Sequence, residues 1–212
     1  MTLTADNVRA VIRLTLPRRS KAAEGNRFLD ARLDWLAEQV GSWPRPRPFR
    51  DEMTFPLEGI DLTICWREAA PRAPRIEIDR LVVGGPDRFL SGRVDRWLKA
   101  RAASRLTDDS REIAAEAGLS DRLGAVAVKD TRRQWGSCQM RDGRISYSWR
   151  LILAPPLVRR AVVAHELAHL VERGHGPAFH KLADELSGGT QKAANDWLKR
   201  EGASLHWIGR EE

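Results

Sequence analysis

Three histidines lie within a stretch of the chain at residues 165–175, and a glutamate directly follows the first of them. His165, Glu166 and His169 form the pattern His-Glu-Leu-Ala-His, and His175 follows six residues after the second histidine. In a helix, residues four positions apart lie on the same face, so His165 and His169 can both direct a ring nitrogen at one metal ion. The pattern therefore predicts a metal site of the kind that binds zinc.

The third metal ligand has one leading candidate. A catalytic zinc usually has three protein ligands and keeps a fourth position for water. His175 cannot continue the helical row, and Gly174 before it would allow a left-handed turn that folds the chain back over the ion. A downstream carboxylate, Asp184 or Glu185, is the alternative. The spacing of the three histidines equals that of the metzincins, but no methionine follows Met140, so the Met-turn of that group is absent.

Glu166 is the candidate catalytic residue. Beside a zinc-coordinated water it would accept a proton and later pass that proton to a leaving amine, while the ion lowers the pKa of the water and polarises the carbonyl. The predicted activity is peptide-bond hydrolysis with Zn²⁺ as cofactor. Hydrolysis of a nucleotide phosphoanhydride bond by the same activated water is the main enzymatic alternative. A purely structural zinc is disfavoured, because such sites usually have four protein ligands.

Other polar residues near the motif have open roles. His180 is expected on the helix that begins at Pro177, as a neighbour of the site or a surface residue, and a direct role as zinc ligand is the alternative. Glu172, Asp184 and Glu185 could each accept a hydrogen bond from a ligand imidazole and fix its tautomer. The sequence does not choose among these three carboxylates.

The composition is that of an ordinary globular protein. The 212 residues are 42% hydrophobic and 31% charged, enough for one domain or for one domain with an appendage. No run of 18 apolar residues occurs, so we expect no membrane span, and residues 1–16 alternate like a strand and not like a signal peptide. Two cysteines, Cys65 and Cys138, do not make a disulfide framework, which favours a reducing cytoplasm.

The chain is strongly basic. Its net charge is +7, from 36 Lys and Arg against 29 Asp and Glu, and the sequence pI is about 10.1. The charges are spread along the chain, which favours a solvated arginine-rich surface over one basic groove. Nucleic acid or an acidic substrate is the alternative partner, although no nucleic-acid-binding motif is recognisable. The predicted partner is a peptide or protein substrate, and the oligomeric state is left open.

Apolar periodicity predicts an α+β protein. A β-rich region with one helix, residues 1–84, is expected to precede a catalytic core, residues 85–212, unless both form one continuous domain. In the core a small antiparallel or mixed sheet would pack on the motif helix. The predicted strands cover residues 8–16, 53–57, 60–67, 75–83, 125–130 and 144–149, those of residues 53–83 forming a small antiparallel region, and a turn at 142–143 precedes the last strand. The predicted helices cover residues 26–40, 86–98, 107–118 capped by Thr107 or Asp108, 158–171 after two prolines, 177–186 and 190–201.

The segment Trp135-Gly136-Ser137-Cys138 lies between two predicted core strands. It is interpreted as a turn with a buried aromatic ring, and Cys138 as a small packed residue, with a ligand or nucleophile role as the alternative. A strand before the metal-binding helix often borders the cleft, where an extended peptide can pair with it. Residues 144–149 are the expected edge strand.

These segments together resemble the YgjP-like metallopeptidases, a family related to SprT and to the Spartan-type proteases. The resemblance implies a zincin-like catalytic core, zinc on His165, His169 and His175, and Glu166 as the catalytic acid and base. The relation to Spartan-type proteases adds a further hypothesis, a protease that acts on proteins bound to DNA. The matching segments are residues 128–131, 135–138, 145–156, 165–170 and 175–179.

Overall fold

The computed structural model describes residues 1–211 and shows a mixed α+β protein, as the sequence predicts. The chain divides into two compact units, Met1–Pro46 and Arg47–Glu212. The predicted boundary between residues 84 and 85 falls inside the larger unit, because buried residues on both sides of it, such as Leu62 and Leu98, belong to one hydrophobic core.

The smaller unit begins with a hairpin. Strands β1 (Thr2–Asp6) and β2 (Val11–Thr15) pair antiparallel. The single strand predicted for residues 8–16 is therefore wrong at its start. The side chain of Asp6 accepts hydrogen bonds from the N–H groups of Val8 and Arg9, at 3.2 and 3.0 Å, and this closes a turn where a strand was expected.

Two short helices complete this unit. Helix α1 spans Ala22–Asp30 and helix α2 spans Leu33–Gly41, where one helix over residues 26–40 was predicted. The first helix ends because the N–H of Arg32 donates to the carbonyl of Leu29, an i to i−3 bond that tightens the last turn and stops the α-helical pattern.

The larger unit opens with a four-stranded mixed sheet. Its strands are β3 (Thr54–Leu57), β4 (Ile60–Trp66), β5 (Arg75–Glu77) and β6 (Arg80–Val83), in the order β3-β4-β6-β5. Strands β4 and β6 are parallel, so the prediction of a purely antiparallel region is wrong. The strand predicted over residues 75–83 is interrupted at Ile78, which has φ of 58° and is 95% exposed at the tip of the β5–β6 turn.

One long helix, α3 (Leu90–Glu116), replaces the two helices predicted between residues 86 and 118. Its buried stripe is continuous through Ala102 and Leu106. Thr107 and Asp108, predicted to cap a second helix, lie inside α3. The neighbouring Asp109 is buried and accepts hydrogen bonds from Arg159 and Arg160, which belong to a helix later in the chain.

A second sheet lies next to the candidate site. It contains β7 (Val126–Lys129), β8 (Gly136–Gln139) and β9 (Arg144–Ser148) in the order β7-β9-β8, with β7 parallel and β8 antiparallel to β9. The Gly136–Gln139 segment is thus a strand, and the predicted turn is wrong. Strand β9 is central, so the prediction that it forms the edge is also wrong. Strands β7 and β8 form the two edges, and β8 is the edge strand that lines the cleft.

Three helices follow: α4 (Pro156–Ala168), α5 (Pro177–Leu186) and α6 (Gln191–Leu205). Helix α4 begins with a proline at its first position, as predicted. It ends three residues earlier than expected. Helix α5 has the predicted bounds and α6 is longer at its C-terminus. In residues 1–211, no helix combines the length and apolar content needed to cross a bilayer.

Candidate metal centre and cleft

His165, His169 and His175 come together at the end of helix α4. Each offers one ring nitrogen, and these nitrogens all lie within 4.8 Å of one another. The Nε2 atoms of His165 and His175 are 3.2 Å apart. Two nitrogen ligands of one tetrahedral zinc, at the usual Zn–N distance, would lie roughly 3.3 Å apart, so this separation suits a shared ion. Within residues 1–211 no second cluster of this kind occurs.

The turn after α4 places the third histidine. His169 is the C-cap of α4 and keeps right-handed helical geometry, so it still lies one turn after His165. The N–H of Leu170 then donates to Leu167 and the N–H of Val171 to Ala168, at 2.9 and 3.0 Å, tightening the end of the helix.

The left-handed turn predicted at Gly174 is wrong. Position 174 is not among the glycines with positive φ, and a Cβ added there would meet nothing within 4 Å. The loop therefore returns the chain to the site by following the tightened helix end, without a conformation that only glycine adopts easily.

One ligand tautomer is fixed by the main chain. Nδ1 of His169 lies 3.0 Å from the carbonyl oxygen of Glu172. A carbonyl only accepts hydrogen bonds, so Nδ1 carries the hydrogen and Nε2 keeps a lone pair for a metal. The acceptor is thus the main-chain carbonyl of Glu172, where a side-chain carboxylate was predicted.

Phe179 lies against all three histidines. Its ring is buried, 1% exposed, and its centroid is 4.8 Å from the ring of His165, 4.4 Å from His169 and 4.6 Å from His175. Residue-by-residue reasoning missed this contact, although Phe179 begins an apolar stripe on α5 with Leu182 and Ala183. The aromatic ring limits how far the three imidazoles can move.

Burial holds His165 in its neutral form. Burial, followed by the nearby His169, His175 and His180, lowers the pKa of His165 to about 4. The ring is therefore uncharged at neutral pH and can offer a lone pair to a cation.

Glu166 is buried beside the cluster. It is 5% exposed, and burial raises its pKa from 4.5 to about 7. A carboxyl group with a pKa near neutrality can both accept and release a proton during a reaction. Its neighbour across the cleft is Gly136 of β8, where an added Cβ would lie 2.5 Å from Oε1 of Glu166.

Other predicted candidates lie outside the cluster. Asp184 and Glu185 are exposed on α5, where Glu185 pairs with Lys181 at 3.8 Å, and neither belongs to the group of converging ligand atoms. The exposed ring of His180 has its centroid 6.3 Å from that of His175. His180 is a neighbour of the three histidines and not one of the converging set.

A comparison with protein-family models matches residues 1–201 to the YgjP-like metallopeptidase domain. The chain belongs to the YgjP-like metallopeptidase family. The resemblance seen in the motifs is therefore confirmed over nearly the whole chain. No curated protein and no solved structure gives a significant match.

The cleft of this YgjP-like protein has two parts that meet at Glu166. The metal-side pocket, about 380 Å³, is lined by β8, by the three histidines and by Arg173. The helix-side pocket, about 210 Å³, lies between β8, α4 and α6. Gln134, Gly136, His165 and Glu166 line both pockets.

Strand β8 presents main-chain groups to this cleft. The N–H of Ser148 donates to the carbonyl of Trp135, and Ser137 is opposite Ser146 in the β8–β9 register. In an antiparallel pair the hydrogen-bonded residues alternate, so Gly136 and Cys138 turn their N–H and C=O groups toward the open edge.

Cys138 fits the interpretation as a packed residue. It is half-buried and packs against the hydrophobic core. Burial, followed by the negative charges of Glu166 and Asp142, raises its pKa to about 11. The thiol is therefore protonated at neutral pH, which is unfavourable for a nucleophile.

Proposed function

We propose that this YgjP-like protein is a zinc-dependent peptidase with His165, His169 and His175 as metal ligands and Glu166 as the general base. The observation that carries the proposal is the convergence of three histidine nitrogens beside one buried glutamate. Three imidazoles with an open side toward a cleft suit a catalytic zinc, which keeps one position for water, better than a closed structural site.

The metal would supply Lewis acidity. When bound, a zinc ion lowers the pKa of a coordinated water and polarises a carbonyl oxygen. The protein would orient the three imidazoles for this ion. Phe179 restrains the rings, and the carbonyl of Glu172 fixes the tautomer of His169.

Glu166 would move the proton. Its carboxylate takes a proton from the attacking water, holds it on a carboxylate oxygen and delivers it to the nitrogen of the leaving amine as the C–N bond breaks. The pKa of about 7 supports both transfers, because neither form of the carboxyl group is strongly favoured at neutral pH. The absence of a side chain at Gly136 lets the carboxylate stay in the cleft.

The open edge of β8 favours a peptide substrate. An extended peptide could pair with the outward N–H and C=O groups of Gly136 and Cys138, and this would hold its main chain along the cleft beside Glu166. A sheet edge recognises a polypeptide backbone, and a nucleotide has no such repeating groups.

A nucleotide phosphoanhydride is the second candidate substrate. It is favoured by the net charge of +7 and by Arg173, which lines the metal-side pocket and has no carboxylate partner within residues 1–211. The same surface charge supports the further proposal that the peptidase acts on proteins bound to nucleic acid, which would show as a steep dependence of DNA binding on salt.

A substrate panel separates these candidates. Zinc-loaded and chelator-treated protein would be incubated with unfolded proteins, a mixed peptide library and nucleoside triphosphates, and the products followed by mass spectrometry and phosphate release. We expect zinc-dependent peptide cleavage and no release of phosphate or pyrophosphate. Release of phosphate or pyrophosphate without peptide cleavage would overturn the peptidase proposal in favour of the second candidate.

A further inference from the structure

We infer that the helix-side pocket is a specificity pocket that takes an uncharged apolar side chain of medium size from a residue flanking the cleaved bond. This inference rests on the proposed peptidase function and names the class of substrate that the site accepts.

The lining of the helix-side pocket is mostly apolar. Its apolar part consists of Trp135, of Ala161 and Val162 on α4, and of Ala194 and Leu198 on α6, while Gln134, Gln191 and Asn195 add uncharged polar groups. The pocket has a volume of about 210 Å³. A dry apolar cavity of about 150 Å³ is large enough to hold benzene, so a leucine, methionine or phenylalanine side chain fits here. Burial of such a side chain would be favourable in proportion to the apolar area that leaves water.

The position of the pocket ties it to the reaction. Gly136 and Glu166 line both this pocket and the metal-side pocket. A peptide lying along β8 would place its reacting carbonyl between Glu166 and the three histidines. Side chains of an extended peptide alternate in direction, and one adjacent to the reacting bond would point toward α6.

The charges around the pocket disfavour ionised side chains. Among the described residues, 1–211, His165 and Glu166 are the only ones with ionisable side chains that line the pocket, and no Lys, Arg or Asp does so. An acidic substrate side chain would be repelled by the Glu166 carboxylate. A basic one would pair with the same carboxylate and compete with its proton transfer. Polar groups that reject a wrong ligand contribute to specificity as much as contacts with the right one.

The pocket walls are held in place by neighbouring groups. Nε2 of Gln191 donates to the carbonyls of Ala161 and Ala183, at 2.7 and 3.3 Å, and so ties α6 to α4 and α5. An added Cβ at Gly202 would lie 3.0 Å from the Trp135 ring, so that glycine lets α6 approach the indole closely. A preformed pocket is the usual form of a ligand site.

Cleavage mapping tests the inference. Zinc-loaded protein would digest a peptide library, and the residues on both sides of each cleaved bond would be counted by mass spectrometry. We expect one flanking position to be enriched in Leu, Met and Phe and depleted in Asp, Glu, Lys and Arg. Equal use of charged and apolar residues at both flanking positions would overturn the pocket while leaving the peptidase proposal intact.

Two variants make the assignment specific. Asn195 is exposed and lines the pocket, so Asn195→Lys should fold normally and shift the preference toward Asp and Glu by about tenfold, a change of the size that one nearby charge can produce. Ala193 is an exposed residue of the same helix that does not line the pocket, and Ala193→Lys, which adds the same charge, is the matched control with an unchanged preference. An identical cleavage profile in all three proteins would contradict the inference.

A binding measurement covers the case in which no peptide is cleaved. If no peptide is cleaved, the peptidase proposal is wrong. The pocket would then be tested by the affinity of acetylated peptide amides that differ at one residue, Leu or Asp. Binding to metal-free wild-type protein, which keeps the Glu166 carboxylate, would be followed by calorimetry. We expect the Leu peptide to bind at least about tenfold more tightly, since its apolar side chain leaves water and the Asp side chain has the same charge as the Glu166 carboxylate. Equal affinities for the two peptides would refute the pocket.

Discussion

Gly136 of β8 lies directly against Glu166 of α4: a Cβ added to the glycine would be 2.5 Å from Oε1 and 2.6 Å from Cγ of the glutamate. Contacts this short do not occur in folded proteins, so any other residue at position 136 would displace the glutamate side chain or the strand. The requirement for glycine here comes from the space that Glu166 occupies, since Gly136 does not have positive φ.

The variant Gly136→Ala should therefore lose activity without losing metal. Displacing the Glu166 carboxylate by about 1 Å would lower kcat by roughly 100-fold, the usual effect of misplacing a reacting group. Peptide cleavage and bound zinc would be measured on the same preparation. Gly41→Ala, where the added Cβ meets nothing within 4 Å, is the matched control. Wild-type kcat in Gly136→Ala would show that the contact does not position Glu166.

Removal of His175 should weaken zinc binding far more than removal of His180. His175→Ala takes away one of three converging nitrogens, and zinc affinity is expected to fall by more than the roughly 10–100-fold that loss of an outer-shell partner causes. His180→Ala is the control, because His180 lies outside the ligand cluster. Competition with a chromophoric chelator gives both affinities. Equal loss in the two variants, or none in either, would remove His175 from the ligand set.

Phe179 should affect metal binding through the position of the ligand rings. Phe179→Leu keeps an apolar side chain in the buried space but removes the ring contacts with His165, His169 and His175. We expect zinc affinity to fall about tenfold, as for other groups that orient ligands, while the circular dichroism spectrum of the metal-free protein stays unchanged. Phe89→Leu, at an exposed position, is the control. Unchanged zinc affinity in Phe179→Leu would mean that the ring only fills space.

Cys138 should react slowly with alkylating reagents. Its pKa is raised from 9.0 to about 11, so the thiolate fraction at pH 8 is about 100-fold below that of an unshifted thiol, and the rate should rise about tenfold per pH unit up to about pH 11. Iodoacetamide labelling followed by peptide mapping measures this site separately from Cys65. The urea-unfolded protein provides the unshifted rate. Rapid labelling of Cys138 in the folded protein at pH 7 would favour the alternative that this residue is a nucleophile.

The local pattern of the site was predictable from the sequence, and much of its surroundings was not. That His165 and His169 lie on one face of α4 follows from helix periodicity alone. Helix α5 begins at Pro177, as the preference of proline for the first helical position predicts. The strand at Gly136–Gln139 could not be found locally, because its small residues resemble a turn and its pairing with β9 depends on residues distant in sequence.

Tertiary contacts also explain why α3 continues through the region around residue 108, where the start of a second helix was predicted. Asp109 has the chemistry of a helix cap, yet it lies inside the helix because Arg159 of α4 donates to it at 2.7 Å. Ser110, next in the chain, shares a hydrogen bond of 3.1 Å with Tyr147 of β9. The hydroxyl of Ser110 also donates to the carbonyl of Leu106, four residues earlier in the helix. The contacts with α4 and β9 come from residues that no short sequence window contains, so tertiary structure overrode the local preference for a helix start.

The most direct test of the peptidase proposal is Glu166→Gln. The amide has nearly the shape of the carboxyl group but cannot accept the proton of the attacking water. Peptide hydrolysis and zinc content would be measured on the same purified variant, with wild-type protein alongside. We expect one equivalent of zinc in both proteins and cleavage by the variant reduced by at least about 1,000-fold, within the range that general acid and base catalysis contributes. A zinc-loaded variant that cleaves peptides at the wild-type rate would contradict the role of Glu166 and the mechanism built on it.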